Sequence, residues 1–132
     1  ANFHLKIDTG MGRIGIWHED MFDFLKAAKG LKNTRLQGVY THLAAADEDP
    51  DFTGQQISLF WNILDKMRQR GILPDYHHAA NSMGIAGFKE SHLNLVRPGL
   101  LVYGAHPKKS LIDKLGLKPA FTLKTRIVYL KK

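Results

Sequence analysis

The stretch that decides the fold is HLKIDTGMGRIG, His4 to Gly15. From Phe3 to Asp8 the apolar Phe3, Leu5 and Ile7 alternate with His4, Lys6 and Asp8. That period of two belongs to a strand with distinct faces, so one face carries Lys6 and Asp8 together. Directly after it, Gly10, Gly12 and Gly15 surround Arg13. The turn has two opposed readings: a cradle for phosphates, or a device for presenting Arg13.

Outward from the turn, Met21, Leu25 and Ala28 recur with Phe22 and Phe24 at helical spacing. Glu19 and Asp20 lie in the first turn and Gly30 is the stop. The pattern repeats. Leu36 to Leu43 reads as a strand, and Phe52 to Arg70 as a helix with Ile57, Phe60, Trp61, Leu64 and Met67 on one stripe. Thr53 and Gln56 form a candidate capping box, and Gly71 with Pro74 ends the helix. A third unit has a strand from Tyr76 to Ala80, a brief helix capped by Ser82 and running through Ile85, and a strand from Leu93 to Val96, followed by the apolar segment Leu100 to Tyr103.

Strands alternating with helices imply a parallel sheet, either doubly wound or closed into a (β/α) barrel. Residues with chemical potential lie at the C-terminal end of every strand: Asp8 and Arg13, His42, Asn81 and Ser82, then Arg97. In a barrel such ends converge on one site, whereas an open sheet concentrates its contacts at a switch point. The distribution favours part of a barrel. Pro119 to Tyr129 is strand-like with no helix after it, as expected of a segment leading into a second domain.

Composition narrows the function classes. The 132 residues, 44% hydrophobic and 23% charged, suit one ordinary globular domain. No apolar run is long enough for a membrane span, and no export signal opens the chain. With no cysteine there is no disulfide or thiolate metal site, which fits a reducing, cytoplasmic setting. The net charge of +7 is scattered, clustering only at Lys108–Lys109 and Lys131–Lys132, which suits small anions better than nucleic acid.

Gly10 to Gly15 matches G-x-G-x-x-G between strand and helix. The acidic residue which that dinucleotide motif needs is missing where the second strand ends, at Thr41-His42-Leu43. Asn81-Ser82 at a helix start offers N–H groups and a hydroxyl to a phosphate, or is an ordinary cap. Arg97, between Val96 and Pro98-Gly99, needs a partner if buried: a carboxylate, a ligand atom or a strand-end acceptor. The adjacent His77 and His78 point to opposite faces, so they make no metal pair. Ser82, His42 and Asp8 assemble a triad only on paper, because no G-x-S-x-G elbow is present.

The segments LKIDTGMGRIG, GVYTHLAAADE, HHAANSMGIAGF, NLVRPGLLVYG and LKPAFTLKTRIV, in this order and spacing, resemble the alanine racemases. The resemblance covers essentially the whole chain. It implies an α/β fold: residues 1–115 as the C-terminal half of a (β/α)8 TIM-like barrel binding pyridoxal 5'-phosphate, and residues 116–132 as the start of a crossover strand to a β-rich C-terminal domain. It implies that Arg13 bonds the cofactor's phenolic oxygen and, with Met11, lies at the substrate. Lys6, which matches a lysine N-carboxylated in many members, holds Arg13. His42 supports Arg97, which donates to the pyridine nitrogen, and Asn81, Ser82, Gly99 and Leu100 surround the phosphate.

The resemblance also implies a homodimer that makes D-alanine for peptidoglycan. The lysine that binds the cofactor covalently and the tyrosine that serves as the opposite base match nothing in this chain, so the 132 residues alone are expected to be inactive. Both ends read as cut. A non-catalytic cofactor-binding module of the same barrel class is the alternative.

Overall fold

A computed structural model describes residues 1–105, 113 and 115–132. The elements run β1 (Asn2–Asp8), β2 (Ile16–Trp17), α1 (Met21–Ala28), β3 (Arg35–Tyr40), α2 (Pro50–Gln69), β4 (Tyr76–His78), α3 (Ser82–Gly87), a 3-10 turn (Lys89–Ser91) and α4 (Gly99–Val102). The sheet order is β2-β1-β3-β4 and every pairing is parallel. Apart from the two-residue β2, strands β1, β3 and β4 neighbour one another in chain order, with a helix in each connection. A doubly wound sheet reverses its order at a switch point; a barrel wall does not.

The alternation in β1 separates two environments. Leu5 and Ile7 join Val39, Ala79, α1 residues Met21 and Leu25, and α2 residues Phe60, Ile63 and Met67 in one core. Each fully buried Ile, Val, Met or Phe among them contributes about 1.5–3 kcal/mol through burial. The opposite face is polar and aromatic. Register places Lys6, Tyr40 and His78 in one row across β1, β3 and β4, and His4, Gly38 and Tyr76 in the row before it. Between Phe3 and His4 the register shifts, because Phe3 pairs with Leu36 and His4 with Gly38, leaving Gln37 as an extra residue.

Several boundaries differ from the sequence reading. Helix α2 is capped by Asp49, whose side chain accepts from the Phe52 N–H at 2.9 Å; Thr53 and Gln56 are buried on the core side. Trp61 turns outward, 45% exposed, and Ile63 takes its place in the core. Asn81 rather than Ser82 caps α3. No strand forms over Leu93 to Val96: Leu93 sits at φ 51°, outside the extended region, and the Asn94 side chain accepts from the His77 N–H at 2.7 Å. That closes a turn.

The apolar segment at Leu100 forms helix α4. The expected crossover stretch has no strand from residue 117 onward and is exposed, with Leu123 at 89% and Val128 at 84%. A strand needs a neighbour for its N–H and C=O groups. Among the described residues this stretch is held by the Ala120 N–H donating to the Tyr103 C=O at 3.0 Å, with Phe121 packed edge-on to the Tyr103 ring. The basic pair Lys108–Lys109 lies outside the described residues.

Candidate cofactor site

The glycine turn is closed from within. Asp8 Oδ1 accepts from the N–H groups of Gly10 at 2.9 Å and Met11 at 2.8 Å, and Oδ2 accepts from Gly12 at 2.9 Å. The donors that a phosphate cradle would offer are therefore taken by the chain's own carboxylate. Gly10 and Gly15 permit this path, with φ of 132° and 111°, and a Cβ on Gly15 would stand 2.9 Å from the Lys6 carbonyl oxygen. Only glycine suits such a backbone at that separation.

Lys6 Nζ donates to the Ile14 carbonyl on the far side of the same turn. The turn is thus stitched at both ends by the two charged residues that alternation put on one face. Arg13 projects from it, exposed. Burial raises the Asp8 carboxyl, but the three N–H bonds and Lys6 outweigh it and leave the group below its ordinary range. Burial lowers Lys6, opposed by Asp8 and reinforced by Arg13 and Arg97.

A second knot forms at the ends of β3 and β4. Arg97 Nη2 donates to the carbonyls of Thr41 at 2.8 Å and Ala79 at 3.1 Å, and Nη1 meets His78 Nδ1 at 2.6 Å. Its guanidinium carbon stands 5.3 Å from the centre of the Tyr40 ring. Strand-end acceptors and a histidine are thus the partners that Arg97 required. Burial pulls Arg97 down from its ordinary value, offset by Tyr40. A guanidinium carries five N–H donors, and the three bonds to His78, Thr41 and Ala79 leave two without a partner among the described residues.

The histidine hydrogen-bonded to Arg97 is His78, while His42 lines the same cavity as Arg97. His78 also stacks on Tyr40, with ring centres 4.8 Å apart, and its Nε2 lies 2.9 Å from His4 Nδ1. Sequence reading placed His78 only as one of a pair on opposite faces; its alternation with Tyr76 on β4 was the available signal. Burial pushes His78 down to about 4, aided by Arg97, His4 and His77. A histidine held neutral stabilises the fold above its ordinary value near 6.5, and that contribution is lost as pH falls toward 4. Urea unfolding should therefore show a loss of roughly 3 kcal/mol between those pH values, and His78→Asn should flatten that part of the curve.

Beside Arg97 is a cavity of about 440 Å³ lined by His42, Asp47, Asn81, Ser82, Met83, Arg97, Gly99 and Leu100. Its volume lies within the ~300–1,000 Å³ range of small-molecule sites. Every cofactor-binding candidate except Arg13 borders it. His42 stays below its ordinary value through burial, then through Arg97, Arg13 and Lys6. Asn81 accepts from the Gly84 N–H at 2.9 Å, and the Ser82 hydroxyl donates to the Pro98 carbonyl at 2.7 Å, locking α3 to the loop before α4. The N–H groups of Ser82, Met83, Gly99 and Leu100 find no acceptor among the described residues. Met11 and Lys6 belong to the glycine turn rather than to this lining.

Residues 1–107 match the family model for the alanine racemase N-terminal domain. The alanine racemase of Carboxydothermus hydrogenoformans is 48% identical over 132 residues, covering 98% of this chain and 36% of that protein. Among solved structures, alanine racemase from D-cycloserine-producing Streptomyces lavendulae superposes with a TM-score of 0.83 at 36% identity, over 91% of this chain and 33% of that one. Alanine racemase from Bacillus anthracis with bound L-Ala-P gives a TM-score of 0.80 at 36% identity, over 90% and 32%. The chain spans about a third of the length of these relatives.

Proposed function

We propose, because the chain belongs to the alanine racemase family, that the complete protein interconverts L- and D-alanine with pyridoxal 5'-phosphate and that these residues hold much of the cofactor. One observation carries the reading: a single cavity is lined by α3 and α4-entrance residues whose N–H groups have no acceptor among the described residues, and by Arg97. Donors without protein acceptors fit a phosphate, and a fixed cation with spare N–H groups fits a ring nitrogen.

When bound, the cofactor supplies the electron sink that makes an α-proton removable. The chain's own part is orientation and electrostatics. Ser82, Met83, Gly99 and Leu100 anchor the phosphate through their N–H groups, with Asn81 shaping the turn. Arg97 donates to the pyridine nitrogen and, being a cation, disfavours a proton there, which suits direct reprotonation over side reactions. His42, kept neutral, borders the ring. Arg13, aimed by the Asp8 and Lys6 clasp, faces the phenolic oxygen and the substrate carboxylate, with Met11 beside it. The lowered pKa of Lys6 enlarges its reactive amine fraction, which favours N-carboxylation.

Racemisation needs an acid-base group on each face of the α-carbon, and we assign both to parts of the protein outside these residues. On the same reading, residues 1–115 form the C-terminal half of the barrel, 116–132 cross toward a β-rich domain that completes a homodimer, and the D-alanine serves peptidoglycan in the cytoplasm. Among the described residues no helix is long and apolar enough to cross a membrane.

The test is D-alanine formation from L-alanine by the complete protein with pyridoxal phosphate, beside the 132-residue chain alone. Turnover by the first and none above free cofactor by the second is expected. No turnover by the complete protein overturns the assignment, and turnover by the chain alone refutes the placing of the bases. Arg97→Ala should weaken cofactor binding about 10- to 100-fold, the worth of a charge-assisted hydrogen bond.

A further inference from the structure

The lower row of the polar face holds a residue to which the proposed function gives no part. His4 lies opposite Gly38 in the register, and a Cβ on Gly38 would stand 2.6 Å from the His4 ring. Glycine at that point lets the imidazole lie over the central strand β3 and reach β4. The extra residue Gln37 sets this alignment, since it moves Gly38 rather than its neighbour opposite His4. His4 also stacks on Tyr76, with ring centres 5.8 Å apart at 24°.

The hydrogen bonds then fix protons. Arginine only donates, so the 2.6 Å contact with Arg97 requires an acceptor at His78 Nδ1. A neutral imidazole with an acceptor at Nδ1 carries its proton at Nε2, and that atom faces His4 Nδ1 at 2.9 Å. The arginine bond sets the tautomer, and the His4 contact then runs from His78 Nε2–H to His4 Nδ1. We propose that His4 is a positioning residue for Arg97: by accepting the Nε2 proton of His78 it holds the His78 Nδ1 lone pair toward the guanidinium. This rests on Arg97 contacting the cofactor ring, and it extends that contact two residues further, to a side chain on another strand.

The experiment uses the complete protein, stripped of cofactor, and the variants His4→Phe, His4→Asn and Gly38→Ala. Imidazole nitrogen NMR should find His78 wholly in the Nε2–H form in the parent and in His4→Asn, whose amide oxygen still accepts. Both tautomers should be populated in His4→Phe, and in Gly38→Ala, where the added methyl displaces the ring. The dissociation constant for pyridoxal phosphate should rise roughly three- to tenfold in those two variants, the worth of one ordinary hydrogen bond, and return to the parent value in His4→Asn.

An unchanged His78 tautomer in His4→Phe overturns the proposal, as does a loss in His4→Asn equal to that in His4→Phe. Arg97→Ala separates the two levels of argument. If it leaves cofactor binding unchanged, the proposed function fails, whereas a large effect there beside an unmoved tautomer in His4→Phe refutes only the role of His4.

Discussion

Replacing Asp8 with alanine should lower the unfolding free energy by about 4 kcal/mol, within the range for stripping one partner from a buried charged network, and should release the turn that carries Arg13. The carboxylate is 7% exposed and closes three backbone N–H groups, with Lys6 as the adjacent cation. Truncation leaves those three donors without their acceptor and removes the anion beside Lys6, whose Nζ donates to Ile14. Asp8→Asn should cost less than half as much, since its amide oxygen can still serve Gly10 and Met11, while its NH2 confronts the Gly12 N–H, donor against donor. Urea midpoints measure the first effect. Tryptic cleavage after the exposed Arg13 measures the second, and it should be fast in Asp8→Ala and slow in the parent. Because its folded value is lowered, Asp8 stabilises the fold above its ordinary 3.8 and that contribution is lost as pH falls below it. Acid should therefore act twice, first on His78 and then on this clasp.

Strict alternation made β1 legible, because a strand with one face on helices and one on a polar interior must separate its residues by parity. The same rule put Lys6 and Asp8 side by side but not what they hold, since the bonds to Gly10, Met11, Gly12 and Ile14 depend on the path of the turn. Arg97 was read as needing a partner, and its partners come from Thr41, His78 and Ala79, which only the packing of β3 beside β4 brings within reach. His78 went unassigned for a related reason. Its importance depends on register, and register in β3 turns on the extra residue Gln37, which no periodicity announces. Over Leu93 to Val96 the apolar run suggested a strand, and a left-handed Leu93 with the Asn94 side chain made a turn instead. Local backbone geometry overrode composition there.

Gln56→Leu should cost about 3 kcal/mol and loosen both knots at once, although it exchanges an amide for a side chain of similar size. Gln56 is 1% exposed on α2, and its amide joins two strand ends. Oε1 accepts from the Ala44 N–H at 2.9 Å, while Nε2 donates to Thr9 Oγ1 at 3.1 Å and to the His42 carbonyl at 3.2 Å. Thr9 in turn meets Thr41 Oγ1 at 2.6 Å, and the Thr41 carbonyl receives Arg97. Burying these groups unpaired costs about 1–3 kcal/mol each, more than the added apolar contact returns. Gln56→Glu discriminates the donor role from the acceptor role, because an ionised carboxylate still serves Ala44 but opposes the His42 carbonyl. Burial should raise that carboxyl's pKa, so the Glu variant should approach parent stability in mild acid and lose it toward neutral pH, against the trend set by His78. If both variants unfold at the parent urea midpoint at every pH, the helix does not hold the strand ends, and the meeting of His42 and Arg97 at one cavity must come from the sheet alone.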